Sequence, residues 1–281
     1  MSKEKKRMAF GYLLVMPAFL VVMLVVAWPI LTAVKQSFTD SETGGFTWDN
    51  YKYFFTDPYQ LKNLVFTLFV VLMTVAIAIV VAYLLALYLR FVKSPISRAI
   101  GNLYLIPRFV PSLVAVYAMI TVIRDSGLVN RISQSFGGDL KLGMMYHAGG
   151  MITMNLWFNI PFAALMITAG LETIPDSVIE GARDVGASKW KVFTSMILPL
   201  SYKDVVVAAT FVFMSNVGAF TTPYLMGGNS PKMLGIALFD QFNKYLRYER
   251  AAALSVIMFL ICSISAAVYI YTNLKDKDWE K

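Results

Sequence analysis

Histidine and cysteine occur once each in this 281-residue chain, and acidic side chains are outnumbered by basic ones, 17 against 25. Each shortage excludes something. A lone cysteine, Cys262, forms no intrachain disulfide, and it falls in an apolar run where packing is its ordinary use. The one histidine, His147, has no acidic or sulfur neighbours in sequence from which a metal site or an acid–base centre is built. No His-Glu-x-x-His metal motif and no Gly-x-Ser-x-Gly nucleophile elbow occurs, and the carboxylates fall almost wholly in loops and tails. Residues 181–188, Gly-Ala-Arg-Asp-Val-Gly-Ala-Ser, echo a phosphate-binding loop, but Ala187 stands where that loop needs lysine and no buried strand precedes it. The chain therefore reads as a non-enzyme with no catalytic residue, no metal ligand and no ATP site of its own.

Apolar residues are abundant instead: 58% of the chain is hydrophobic, with a mean hydropathy of +0.61. A hydrocarbon core about 30 Å thick takes about 20 apolar residues per helix. Six stretches satisfy this, at about 9–34, 63–89, 98–123, 145–171, 204–226 and 251–272. The expected fold class is an all-α integral membrane protein, a single domain of six transmembrane helices. The first apolar run follows Lys3, Lys5, Lys6 and Arg7, but it is long for a signal peptide and lacks a good small-residue cleavage site, so it reads as a retained span. Six spans put both ends on one side. The basic N-terminal tail, the connection bearing Arg90, Lys93 and Arg98, and the tail bearing Lys275, Lys277 and Lys281 assign that side to the cytoplasm. The net charge of +8 thus marks topology and attraction to anionic lipid, not nucleic-acid binding.

One polar segment interrupts the apolar runs. Pro175 and Asp176 suit a helix start, and Val178, Ile179, Ala182 and Val185 recur at helical spacing. Gly186 supplies a left-handed corner, Ser188 caps a second helix, and Trp190, Phe193 and Ile197 give that helix an apolar stripe before Pro199 ends it. Isolated helices this short are marginal in water. The hairpin, residues 173–202 with its connections, needs a surface to lie on.

Glu180, Ala182, Gly186, Leu198 and Pro199 are spaced as in the cytoplasmic Glu-Ala-Ala-x-x-x-Gly loop of ATP-binding-cassette importer permeases, which the segment resembles. Gly181 replaces the first alanine of that pattern, at a helix-propensity cost of about 1 kcal/mol, and Met196 replaces its isoleucine. The opening Gly-Tyr-Leu-Leu-Val-Met-Pro-Ala-Phe-Leu and the later Trp48-Asp-Asn-Tyr51 also resemble this family, so the likeness runs nearly the whole chain. The resemblance implies a coupling helix at Glu180, Gly181, Ala182, Arg183, Asp184, Gly186, Ala187, Trp190 and Pro199. It also implies two ATPase subunits that use ATP and magnesium, a second and related permease chain, an extracytoplasmic substrate-binding protein, and a place in the inner (cytoplasmic) membrane.

The remaining polar residues give a substrate pathway less sharply. Arg108, between Pro107 and Pro111 in the third expected span, is costly in lipid and reads equally as a pathway residue or a structural one. Asn155 and Asn159 share a helix face, and Asn216, Thr221 and Thr222 lie in a segment of small and hydroxyl residues around the fifth span. All five serve either a translocation path or the hydrogen-bonded packing of helices in lipid. The fifth-span wording resembles permeases for polyamines, ferric iron or phosphonates, whereas the opening segments resemble those for oligosaccharides and glycerol phosphate. A small polar solute such as a polyamine is the first expectation and an oligosaccharide or glycerol-phosphate solute the second. The competing class, a self-sufficient carrier or membrane enzyme, requires an ionisable relay that Arg108 alone does not make. The aromatic loop at 38–61 suits the membrane interface, and residues 231–248 suit an amphipathic external helix.

Overall fold

The computed structural model describes the backbone of residues 3–274 and the side chains of residues 11–272. The basic tail residues Lys275, Lys277 and Lys281 lie outside the described residues, as do the side chains of Lys3, Lys5, Lys6 and Arg7. Among the described residues there is no sheet, only an isolated bridge between Thr39 and Phe46.

The first long helix is α1 (Lys3–Val22), a π turn (Met23–Ala27) and α2 (Trp28–Ser37) in unbroken succession. A short α3 (Asp49–Thr56) precedes the longest helix, α4 (Pro58–Phe91). Four shorter helices follow, α5 (Pro95–Leu103), α6 (Ile106–Phe109), α7 (Ser112–Ile123) and α8 (Leu128–Ser135), and then α9 (Ala148–Glu172). The polar hairpin is α10 (Asp176–Asp184) and α11 (Lys189–Val192), and a π turn (Phe193–Ile197) carries α11 directly into α12 (Leu198–Val217). After α13 (Thr221–Met226) come α14 (Leu234–Phe239), a third π turn (Asp240–Lys244) and α15 (Tyr248–Leu274). Among the described residues, six helical stretches are long and apolar enough to cross a membrane: Gly11–Ser37, Pro58–Phe91, Ser112–Ser135, Ala148–Glu172, Lys189–Val217 and Tyr248–Thr272.

Three details differ from the sequence-based expectation. The third span, expected at 98–123, is divided into α5, α6 and α7: Pro107 and Pro111 each lack an amide, and Pro111 holds the preceding Val110 extended, with ψ 125°. The long apolar stretch there is Ser112–Ser135 instead. The fifth, expected at 204–226, begins at Lys189 and stops at Val217, where Gly218 separates α13 from it. Nor does Pro199 end the hairpin's second helix. The preceding π turn, in which the amide of Leu198 reaches back to Phe193 O, widens the helix where the proline ring would otherwise meet a backbone carbonyl.

The chain divides into two compact units, residues 1–60 with 238–259 and residues 61–237 with 260–281. In the first, Asn50 ties the end of α2 to α3 by donating to Ser37 O at 3.1 Å and Thr39 O at 2.9 Å. Phe38, Phe46, Trp48 and Tyr51 stack over that turn. Asp40 caps the turn, and the amides of Thr43 and Glu42 hold its carboxyl below the usual carboxylate range.

In the second unit the core joins α4, α9 and α12. Ala78, Ala82 and Ala86 recur every four residues on α4, and Ala163, Ala164, Ile167 and Leu171 on α9 and Ala208 and Val212 on α12 belong to the same buried cluster. Small side chains at helical spacing permit the close backbone approach that drives association in lipid. Tyr83 Oη and Ser201 Oγ are 2.9 Å apart within it. The first free amide of α14 is likewise satisfied from α4, where Thr67 Oγ1 accepts from Leu234 N at 2.9 Å. Gly170 of α9 faces the carboxyl group of Asp204 on α12 so closely that a β-carbon there would overlap it. We expect Gly170→Ala to cost about 1–3 kcal/mol through overpacking, seen as a lowered thermal midpoint of the detergent-solubilised chain.

Candidate functional site

The hairpin has two unlike faces. Ile179 and Ala182 of α10, with Val192 of α11 and Ile197 of the π turn, are buried in the cluster built on α4, α9 and α12. That cluster is the surface two such short helices need. The expected apolar faces are partly shifted: Val178 is exposed, Val185 is 85% exposed and Trp190 is 72% exposed. Val192, which was not singled out in the sequence, is the buried residue of α11. The reason is geometric: Val185 is the C-cap of α10, past its last packed turn, and Trp190 lies in the first turn of α11 with its ring tilted over Phe193 at 5.5 Å.

The corner follows the sequence closely. Gly186 has φ +86°, its amide bonds Arg183 O at 2.9 Å, and the amide of Ala187 bonds Ala182 O at 3.0 Å, the two bonds of a Schellman C-cap. Ser188 Oγ accepts from Lys191 N at 3.2 Å and caps α11. Glu180, Gly181, Arg183, Asp184 and Pro199 are all exposed, and Ala187 is half-buried. Nothing lies within 4 Å of a β-carbon at Gly181.

Arg90, the last basic residue of α4, fixes where the hairpin begins. Its guanidinium donates to Leu171 O at 3.4 Å, to Ile174 O at 3.1 Å and to the carboxylate of Asp176 at 2.6 Å. It thereby satisfies carbonyls at the C-terminal end of α9, where the helix dipole favours a cation, and neutralises an acid in the first turn of α10. In the sequence Arg90 carried only a topological signal. Asp204 was also passed over, because its place at the edge of an expected span did not reveal the close approach to Gly170.

The candidate pathway residues separate into two groups. Asn159 donates to Asn155 O at 2.7 Å and to Asn216 Oδ1 at 3.4 Å, and Ser215 Oγ reaches Asn159 Oδ1 at 3.5 Å. Asn155, Asn159 and Asn216 are thus gathered between α9 and α12, all buried, with Asn155 Nδ2 left without an acceptor. Thr222 is buried and Thr221 half-buried on the separate α13. Arg108 is not inside a long helix. It sits exposed on the four-residue α6, its guanidinium 4.9 Å from the centre of the Phe162 ring on α9. His147 is exposed at the N-cap of α9, with Nδ1 2.8 Å from Met145 O, and no group of metal-ligating side chains occurs among the described residues.

Residues 78–278, which contain the hairpin, its seat and its strap, match the family described as "Binding-protein-dependent transport system inner membrane component". The chain belongs to that family. It is an inner membrane permease of an ATP-binding-cassette importer. The permease is 25% identical over 257 residues to the spermidine/putrescine transport system permease protein PotB of Salmonella typhimurium (strain SL1344), covering 91% of this chain and 88% of that one. It is 30% identical over 274 residues to the sulfoquinovosyl glycerol transport system permease protein SmoG of Agrobacterium fabrum (strain C58 / ATCC 33970), with 92% and 88% covered. Its fold is shared with a chain of a bacterial ABC transporter involved in alginate import, at a TM-score of 0.82 and 17% identity over 99% of both chains. A chain of the MetNI methionine transporter matches less fully, at 0.53 and 19% identity over 75% of this chain and 91% of that one.

The strap and the corner make separable predictions. Arg90→Ala should raise amide exchange across residues 173–188 by about tenfold, as roughly 1–2 kcal/mol of carbonyl and carboxylate pairing is lost. Asp176→Asn should do less, because that carboxylate is more than half exposed and screened. Gly186→Val should cost about 1–3 kcal/mol through left-handed strain, whereas Gly181→Ala should stabilise α10 by up to about 1 kcal/mol.

Proposed function

We infer that the exposed face of the hairpin is the coupling surface through which ATPase subunits drive this permease. The observation that carries this is the inversion at its tip: Val185 and Trp190, both apolar, point away from the permease core while Ile179, Ala182, Val192 and Ile197 hold it from below. An exposed tryptophan beside Glu180, Arg183 and Asp184 is the composition of an interface, with an aromatic anchor inside a polar rim. Two ATPase subunits would supply ATP and magnesium, and this chain would contribute path and lever without hydrolysing anything itself. Closure of the ATPase pair would press on the hairpin and rock the spans between inward- and outward-facing states. Both termini and the hairpin then lie in the cytoplasm, a second and related permease completes the path, and an extracytoplasmic binding protein delivers the solute.

The substrate reading is a small polar solute of the polyamine type, supported by the likeness to PotB along 91% of the chain. A sugar-type solute is the second reading. The 30% identity to SmoG and the 26% identity to the trehalose transport system permease protein SugA of Mycobacterium tuberculosis (strain CDC 1551 / Oshkosh) favour it, and so does the exposed cation of Arg108, which repels a polycation nearby.

In the assembled transporter, Trp190→Ala should lower ATPase co-purification and uptake by about tenfold or more, the loss typical of an aromatic anchor. Glu180→Lys should uncouple ATP hydrolysis from uptake. Unchanged transport and coupling in both would remove the lever assignment. Competition by putrescine, spermidine, a phosphonate, trehalose and maltodextrin against labelled solute decides between the substrate classes.

A further inference from the structure

A cavity of about 470 Å³ opens where α4 and α9 both end, at the same end of these helices as the hairpin. Lys93, in the connection after α4, and Arg98, on α5, line it. Neither has a carboxylate partner among the described residues. Glu172, the last residue of α9, is the one acid in the wall, so the lining carries two positive charges and one negative.

Thr168, one turn earlier on α9, adds a second observation. Its hydroxyl is buried in the cavity wall and has no hydrogen-bond partner. Helical threonines ordinarily spend that hydroxyl on a carbonyl three or four residues back, as Thr153 does on Gly149 O at 2.9 Å and Thr173 on Gly170 O at 2.7 Å. Thr168 does not, and an unspent hydroxyl in a roomy polar site calls for a ligand group. The rest of the wall is mixed: Ser94, Ser97, Asn102 and Tyr104 are polar, and Leu89 in the last turn of α4 with Val92 just after it supply an apolar strip. One molecule with an apolar chain, a single negative charge and hydroxyl groups satisfies all of these features together.

We propose that this cavity binds the headgroup of an anionic phospholipid, a phosphodiester of the phosphatidylglycerol type. Lys93 and Arg98 take the phosphate oxygens, by charge and by the planar fork of the guanidinium. Thr168 and Glu172 take the headgroup hydroxyls, and the acyl chains leave along Leu89 and Val92. The depth is right for this, because the ends of two apolar helices mark the headgroup level, and basic pockets between spans at that level recognise anionic lipid. The site stands independently of the hairpin's role. Its position gives it reach, since Lys93 lies three residues after Arg90 and Glu172 four residues before Asp176, the two ends of the strap.

Native mass spectrometry of the assembled transporter, released from nanodiscs with equal parts phosphatidylglycerol, phosphatidylethanolamine and phosphatidylcholine, tests the proposal. Phosphatidylglycerol should survive delipidation about thirtyfold more often than either other lipid, as about 1 kcal/mol for each of the two basic residues implies. The paired change Lys93→Gln with Arg98→Gln should erase that preference, Thr168→Val should weaken it by about two- to fivefold, and Arg98→Lys should keep most of it. If the paired variant does not assemble, Lys93→Gln and Thr168→Val alone carry the comparison. Equal retention of the three lipids, or a preference untouched by these substitutions, overturns the proposal. So does full displacement by inorganic phosphate or ATP, which would make the cavity a site for free phosphate.

Discussion

The guanidinium of Arg90 is the interaction on which the placement of the polar hairpin depends. Only residues 173–175 connect α9 to α10, too few to form a regular element. Arg90 grips two carbonyls before that connection ends and one carboxylate just after it, from the last turn of α4. It therefore lies at the C-terminal ends of two helices at once, where both dipoles favour its charge. The carbonyls are the firmer anchors, because the carboxylate is more than half exposed and water screens it. The Arg90 head itself is only 14% exposed, which keeps its fork directed and leaves the start of α10 little freedom relative to α4 and α9.

Beyond the corner, the constraint becomes continuity. Lys189–Val217 is one uninterrupted helical rod, so a displacement at Trp190 is transmitted along α12 without a joint. A proline inside such a rod ordinarily breaks it. Here the π turn before Leu198-Pro199 spreads the bonding over one more residue, and the same device precedes Trp28-Pro29 in the first long helix. At Pro107 and Pro111 the backbone instead separates into the short helices α5, α6 and α7, whereas Pro17 and Pro161 lie within α1 and α9 without a break. The same residue type therefore sits within continuous helices at some positions and at joints in others.

Much of this was legible in the residues. Hydropathy and length gave six apolar helices, and Pro175, Gly186 and Ser188 gave the start, corner and second cap of the hairpin, because each of these signals is local. Pro199 misled, since the widened turn that absorbs it has no separate sequence mark. Val185 misled in the opposite sense: periodicity identifies an apolar stripe but not which of its members meet the chain's own core. Arg90 was visible only as a positive charge near a span, because its partners lie more than eighty residues away in sequence. Asn155 and Asn159 could be paired on one helix from spacing alone, while their crossing to Asn216 on α12 required the fold. Gly170 and Asp204 are the same kind of case, a small residue and a carboxylate matched only in three dimensions.

The first long helix behaves unlike the others. Its most apolar stretch, within Gly11–Ser37, contains no buried residue, and the shared family region begins only at residue 78. A helix that fills no gap in its own chain is held by transfer into lipid and by whatever surrounds the assembly, not by side-chain complementarity. Transfer into lipid asks that stretch for length and hydrophobicity, a looser requirement than fitting a core.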